Sequence, residues 1–141
     1  MSFASKWQAW VPEFHSLLRI VAGLLFFFVG TVKLFSFPVG MPGGMVVSLA
    51  SLIGVAGVLE VVGGALMVLG LWTRPVAFIL AGEMAIAYFI GHAGGGFWPL
   101  VNGGTDAILF CFIWLFMSAA GGGAWSVDAW MAKRETETSV A

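Results

Sequence analysis

A chain of 141 residues that is 60% hydrophobic and only 9% charged has too few charges to cover a water-facing surface, because soluble domains carry about 25% charged residues. Its formal charge of -1 gives no basic footprint for nucleic acid, so the partners expected are the lipid bilayer and proteins met within it, in a membrane complex or a homo-oligomer. The single cysteine, Cys111, excludes an intrachain disulfide and a C-x-x-C redox pair.

Residues 1–16 carry Trp7, Trp10 and Phe14 together with Lys6, Glu13 and His15. This pattern predicts an interfacial segment at the headgroup level, with Pro12 interrupting any long helix. The apolar run from Leu17 ends in Lys33-Leu34-Phe35-Ser36-Phe37-Pro38, not in a small-residue cleavage site, so it predicts a retained first span over 17–35 and not a signal peptide. A Pro/Gly-rich loop follows, and the second span is predicted over 46–71, long enough to demand tilt.

Pro75 is acceptable in a first helical turn, which starts a third span predicted over 75–91 and closed by His92-Ala93-Gly94-Gly95-Gly96. The turn Asn102-Gly103-Gly104 feeds a fourth span over 105–120, with Thr105 as the expected cap and Asp106 complementing the helix dipole. Residues 121–141 are predicted to be an interfacial and disordered tail: a short helix around Trp125 to Trp130, then a polar end from Lys133. Spans near 20 residues suit a hydrocarbon core of about 30 Å, and the period-2 alternation of a membrane barrel is absent. The fold class predicted is all-α: a four-transmembrane-helix bundle over 17–120 with short interfacial segments at both ends.

Ionisable residues inside apolar sequence are the informative ones, since each costs about 2.5–3.5 kcal/mol at the bilayer centre unless paired or neutral. Glu60 and Glu83 sit near the middle of the second and third spans. Ala56, Gly57, Gly63 and Gly64 beside Glu60 predict close helix approach on that face. On the first span Arg19, Gly23, Phe26, Gly30 and Lys33 recur in steps of three and four, a single stripe that is cationic at both ends.

Pairing of Arg19 and Lys33 with Glu60, Glu83 or Asp106 follows as the simplest expectation. Three readings stay open: an ion network that fixes helix register, a polar site that binds a ligand or relays protons, and contacts to another subunit. Arg19 and Lys33 also stand near enough to helix ends to snorkel. A second set, His92, Trp98, Asn102 and Asp106, falls on the other loop side; His92 lacks an H-x-x-x-H partner, so no metal site is expected. The glycine triplets lack the lysine and context of a phosphate loop.

The polar residues at these spacings resemble the DoxX family of small bacterial membrane proteins over nearly the whole chain. The stretches that carry the resemblance are Leu18-Arg19-Ile20-Val21-Ala22-Gly23-Leu24-Leu25-Phe26, Gly30-Thr31-Val32-Lys33-Leu34-Phe35 and the run from Leu59-Glu60 through Gly63-Gly64 to Trp72-Thr73-Arg74. Further along come Glu83-Met84, His92, Asn102-Gly103-Gly104 and Trp125-Ser126-Val127-Asp128. Two departures are Val29 where such proteins often carry His, and Thr105-Asp106 where a glutamate usually follows the Gly-Gly turn.

The resemblance implies a four-helix membrane protein linked to redox processes, with relatives in thiosulfate:quinone oxidoreductase and membrane-associated oxidoreductase assemblies. The chain shows no haem ligand pair, flavin motif or cysteine cluster, so a bound quinone or a partner's cofactor would carry electrons. The leading expectation is a membrane subunit of a quinone-linked oxidoreductase system, with Arg19, Lys33, Glu60 and Glu83 around an apolar slot. The alternatives are a non-catalytic scaffold subunit and a small proton-coupled transporter. Lys6, Arg19, Arg74, Lys133 and Arg134 fall on one side and only Lys33 on the other, which predicts a multi-pass protein of the bacterial cytoplasmic membrane with both termini cytoplasmic.

Overall fold

The computed structural model describes residues 3–139, among which there are seven α-helices and no strand. They are α1 (Phe3–Gln8), α2 (Val11–Phe35), α3 (Leu52–Leu69), α4 (Thr73–Ala87), α5 (Pro99–Asn102), α6 (Thr105–Ala120) and α7 (Val127–Ser139). A π-turn, Tyr88–His92, and a 3-10 turn, Ala93–Gly95, prolong α4. Three stretches are long and apolar enough to cross a membrane: Val11–Phe35, Leu52–Leu69 and Thr73–Gly95. The apolar α6 has 16 residues, which is about 24 Å of helix and short of a full span.

Local chemistry moves several predicted boundaries. Pro12 does not break the first helix; it occupies the first turn of α2, where its missing N–H is an unused donor anyway. The first span therefore begins at Val11, not at residue 17. The second starts at Leu52 and not near residue 46, because the Ser51 hydroxyl accepts the Gly54 N–H at 3.1 Å and caps the helix there. Thr105 is the first residue of α6, not its cap, which is Gly104 with no side-chain bond.

The expected disordered end is instead helical through Ser139. Ser126 accepts the Ala129 N–H at 3.1 Å, and Arg134 lies 4.7 Å from the Trp130 ring one turn earlier; this cap and i,i+4 pair hold a helix that the polar composition concealed. Residues 1, 2, 140 and 141 of the two predicted end segments lie outside the described residues.

α2 packs along α3 and α4 along α6, while α3 touches α4 and α2 touches α6. Burial is inverted relative to a soluble protein. On α2 the inward positions are Ser16, Arg19, Ala22, Gly23, Phe26, Gly30 and Thr31, whereas Leu17, Leu18, Val21, Leu24, Leu25, Phe28 and Val29 face outward. Small and polar residues inside, with large apolar ones outside, are what a lipid solvent selects. Lipid gives helices no hydrophobic drive to associate, so close packing and hydrogen bonds hold them.

The glycines of α2 and α3 supply that packing. A Cβ on Gly64 would stand 2.7 Å from the Phe27 backbone N and 2.9 Å from the Gly23 carbonyl, and one on Gly30 would stand 2.7 Å from the Val61 N. Backbone cannot step aside as a side chain can. Gly64→Ala should therefore destabilise the protein by about 1–3 kcal/mol, read by unfolding in detergent. Gly82, with nothing within 4 Å of its Cβ position, should instead gain up to about 1 kcal/mol on change to Ala. Equal effects at the two positions would refute the close helix approach.

Candidate functional site

Arg19 is completely buried, yet it meets no carboxylate. Its Nε donates to the Gly122 carbonyl at 2.7 Å, Nη1 to Val68 at 2.8 Å and also to Met67, and Nη2 to Trp125 at 2.6 Å. Met67 and Val68 lie in the last turn of α3, at the negative end of the helix dipole, where the Met67 carbonyl also accepts the Gly70 N–H at 3.2 Å. The expected pairing of Arg19 with Glu60, Glu83 or Asp106 is thereby corrected. A planar fork of five donors matched to four carbonyls explains why arginine stands here.

The same end of the molecule is tied from several elements. Asp128 at the start of α7 accepts the backbone N–H groups of Trp72 and Thr73 at 2.7 and 2.8 Å, capping α4 from a distance in sequence. Asp128 N–H in turn donates to the Gly70 carbonyl at 3.0 Å. Ser16 accepts the Trp125 N–H at 3.1 Å, and Arg74 donates to the Ala119 carbonyl at the end of α6. We call this the Arg19 end. Asp128, Ser16 and Arg74 were not selected as site residues from the sequence, although Asp128 and Arg74 stand in stretches that carry the family resemblance.

The opposite, Lys33 end holds the expected ion pair. Lys33 Nζ lies 2.5 Å from Glu60 Oε1, with the lysine side chain 22% exposed and the glutamate 1%. Lys33 stands in the last turn of α2, so its stem runs back along the helix to reach a carboxylate near the middle of α3. The second oxygen of Glu60 is buried without a partner.

Glu83 on α4 is within electrostatic range of both Glu60 and Lys33, and both of its carboxyl oxygens are buried with no hydrogen bond. Glu83 thus stands near an ion pair with no hydrogen-bond partner of its own. Three acceptor oxygens stay unused, in a region where each unsatisfied polar group costs about 1–3 kcal/mol.

Beneath this triad, towards the Arg19 end, lies an apolar layer. Phe26, Met67, Leu80, Trp114 and Met117 are each at most 1% exposed, and Phe26 meets the rings of Phe110 and Trp114 at 5.1 and 5.4 Å. The Trp114 indole N–H is buried and unpartnered. Nothing in the sequence marks that donor, since a tryptophan in an apolar helix ordinarily reads as core.

The second predicted set is only partly assembled. His92 Nδ1 is 3.1 Å from the Asn102 carbonyl oxygen, and Asn102 donates to Gly96 at 2.8 Å and accepts from the Gly104 N–H at 2.8 Å. Its Nδ2 also lies 3.5 Å from the Tyr88 hydroxyl. Asn102 is therefore a loop pin that closes the glycine-rich connection between α4 and α6. Asp106 and Trp98 are exposed. Among the described residues no three His, Cys, Asp or Glu side chains gather as a metal site.

These positions can be compared with known proteins. Residues 14–93 match the family model for DoxX. The chain belongs to the DoxX family. A protein of Haemophilus influenzae (strain ATCC 51907 / DSM 11121 / KW20 / Rd), which bears the description uncharacterized protein, is 43% identical over 120 residues, covering 83% of this chain and 90% of that protein. No solved structure matches. With its apolar helices, this DoxX chain is a membrane protein. The matched region holds Arg19, Lys33, Glu60, Glu83 and His92, so the buried cation and the interior triad both lie within the DoxX core of the chain.

Proposed function

We propose that this DoxX protein is a membrane subunit of a quinone-linked oxidoreductase system, in which Lys33, Glu60 and Glu83 form a proton-exchanging site inside a bundle of four membrane-crossing helices. The observation that carries this reading is Glu83, whose two buried carboxyl oxygens have no partner beside an ion pair already made. Intramembrane carboxylates of this kind are expensive, and functional sites are where such expense is found. A quinone brings two-electron, two-proton redox chemistry. The chemistry of the groups suits its carbonyls and hydroxyls: Lys33 can donate, and the free oxygens of Glu60 and Glu83 can accept. Arg19, being absorbed in carbonyl contacts, is left out of the site.

In the same reading α6 completes the bundle by sitting in a bilayer thinned or matched to its length. The membrane is the bacterial cytoplasmic one. Five of the six basic residues lie at or beyond the Arg19 end, which supports a cytoplasmic position for that end and both termini.

Gentle extraction of the native protein followed by mass spectrometry tests the site. The wild type is expected to retain a quinone that the folded Glu60→Gln, Glu83→Gln double variant loses. Equal retention by both would refute the site. A second reading, a non-catalytic scaffold, is favoured by α7, whose first turn is tied to α4 through Asp128 while its residues 132–139 are exposed at the Arg19 end. Stoichiometric protein partners that co-purify without quinone, unchanged by the double variant, would favour it.

A further inference from the structure

We infer that the Glu60–Glu83 pair is a proton-binding site loaded from the Lys33 end alone, the opposite end being closed to protons. This rests on the proton-exchange part of the reading above and adds its sidedness. Lys33 and the two carboxylates sum to one excess negative charge, which a single proton cancels. A hydronium at the Lys33 end gives its proton to a free carboxylate oxygen and leaves as water, and the reverse step returns it.

Access follows from burial. The Lys33 side chain is 22% exposed while the Glu60 carboxylate it touches is 1% exposed, so the ammonium bridges the outer surface and the interior acceptor. In the other direction the way is blocked twice. Phe26, Met67, Leu80, Trp114 and Met117 make a layer with no exposed side chain above 1%, and the Gly23–Gly64 contact leaves no room for even a methyl group between α2 and α3.

Behind that layer Arg19, fully buried, holds a fixed positive charge across the end of the bundle. A cation there repels an incoming proton, as arginines do in pores that exclude protons. The charged and titratable groups on the elements around the pair are Glu13, His15, Arg19 and Lys33 on α2, Arg74 on α4, Tyr88 and His92 in its π-turn, and Asp106 and Cys111 on α6, with His15 3.1 Å from the Met117 sulfur on the far side of the apolar layer. Of these, Lys33 is the one found in contact with a carboxylate of the pair. A site open to one face exchanges protons between that face and something inside the membrane.

Dicyclohexylcarbodiimide, an apolar reagent that modifies protonated carboxyl groups within membranes, provides the probe. Right-side-out and inverted membrane vesicles holding the full chain are clamped at different inner and outer pH, and adducts on Glu60 and Glu83 are counted by peptide mass spectrometry. The rate should rise up to about tenfold for each pH unit lowered on the Lys33 side and stay unchanged when only the Arg19 side is acidified. Phe26→Ala, which opens the apolar layer, should make the rate respond to both sides if it folds.

In the wild type, a rate that follows the Arg19-side pH, or both sides equally, overturns the inference, and so does a rate indifferent to both. One-sided modification in a protein that retains no quinone would sink the redox reading and leave the sidedness standing.

Discussion

Arg19→Met should cost about 3–5 kcal/mol of stability, the loss seen when one partner of a buried charged contact is removed. The variant leaves carbonyls of Met67, Val68, Gly122 and Trp125 without the donor they now share. The Met67 carbonyl keeps the Gly70 N–H at 3.2 Å, while Val68, Gly122 and Trp125 lie at or beyond helix ends, where no intrahelical N–H can replace the guanidinium. Unfolding by titration with a denaturing detergent reads the loss. Arg19→Lys should fall between, because an ammonium keeps the charge but lacks the planar fork.

A snorkelling arginine would behave otherwise. Surface substitutions are usually within about 0.5 kcal/mol, so a shift that small for Arg19→Met would refute the carbonyl cage. The effect should also add to that of Glu60→Gln, since the two side chains share no partner and sites without shared contacts add to within about 0.5 kcal/mol.

The contrast between Arg19 and Lys33 shows what the residues disclosed in advance. Both stand on one helical stripe, and the three-four spacing correctly placed both on the inward face. Spacing along α2 says nothing about which groups wait on the facing elements. For Lys33 the partner is a side chain on α3 within the adjacent pair, and the small residues around Glu60 marked that face. For Arg19 the partners are backbone carbonyls, one of them contributed by Gly122 beyond α6, and a carbonyl leaves no trace in composition or periodicity.

The helices were legible for a related reason. Apolar length reports the lipid thickness directly, so the long helices were found, while their starts depended on single caps. Ser51 and Pro12 decide two of those starts by a hydroxyl and a missing N–H, features that a hydropathy pattern averages away. The full length of the helix from Val127 is hidden in the sequence because it owes its order to the Ser126 cap and the Trp130–Arg134 contact, not to an apolar face. Glu83 was legible as a misfit and no more. That it has no partner while Glu60 has one is a fact of tertiary geometry.

Lys33→Met is expected to be the second large loss, about 3–5 kcal/mol, because it leaves two buried carboxylates and no cation. Adding Glu60→Gln should restore much of it. The pair is in direct contact, at 2.5 Å, and contacts of that kind give coupling of about 0.5–3 kcal/mol in a double-mutant cycle. Detergent unfolding of the two single variants and the double variant measures that coupling, and strictly additive losses would refute the ion pair as a stabilising contact.

Glu83→Gln then separates structure from work. Removing the carboxylate that has no partner takes away the excess negative charge without breaking any contact, so stability should hold or rise while proton exchange is lost. Residues kept for function at the expense of stability show that pattern. Were Glu83→Gln as destabilising as Lys33→Met, Glu83 would belong to the network that fixes the helices, and the site would lose the one group that is free to bind a proton.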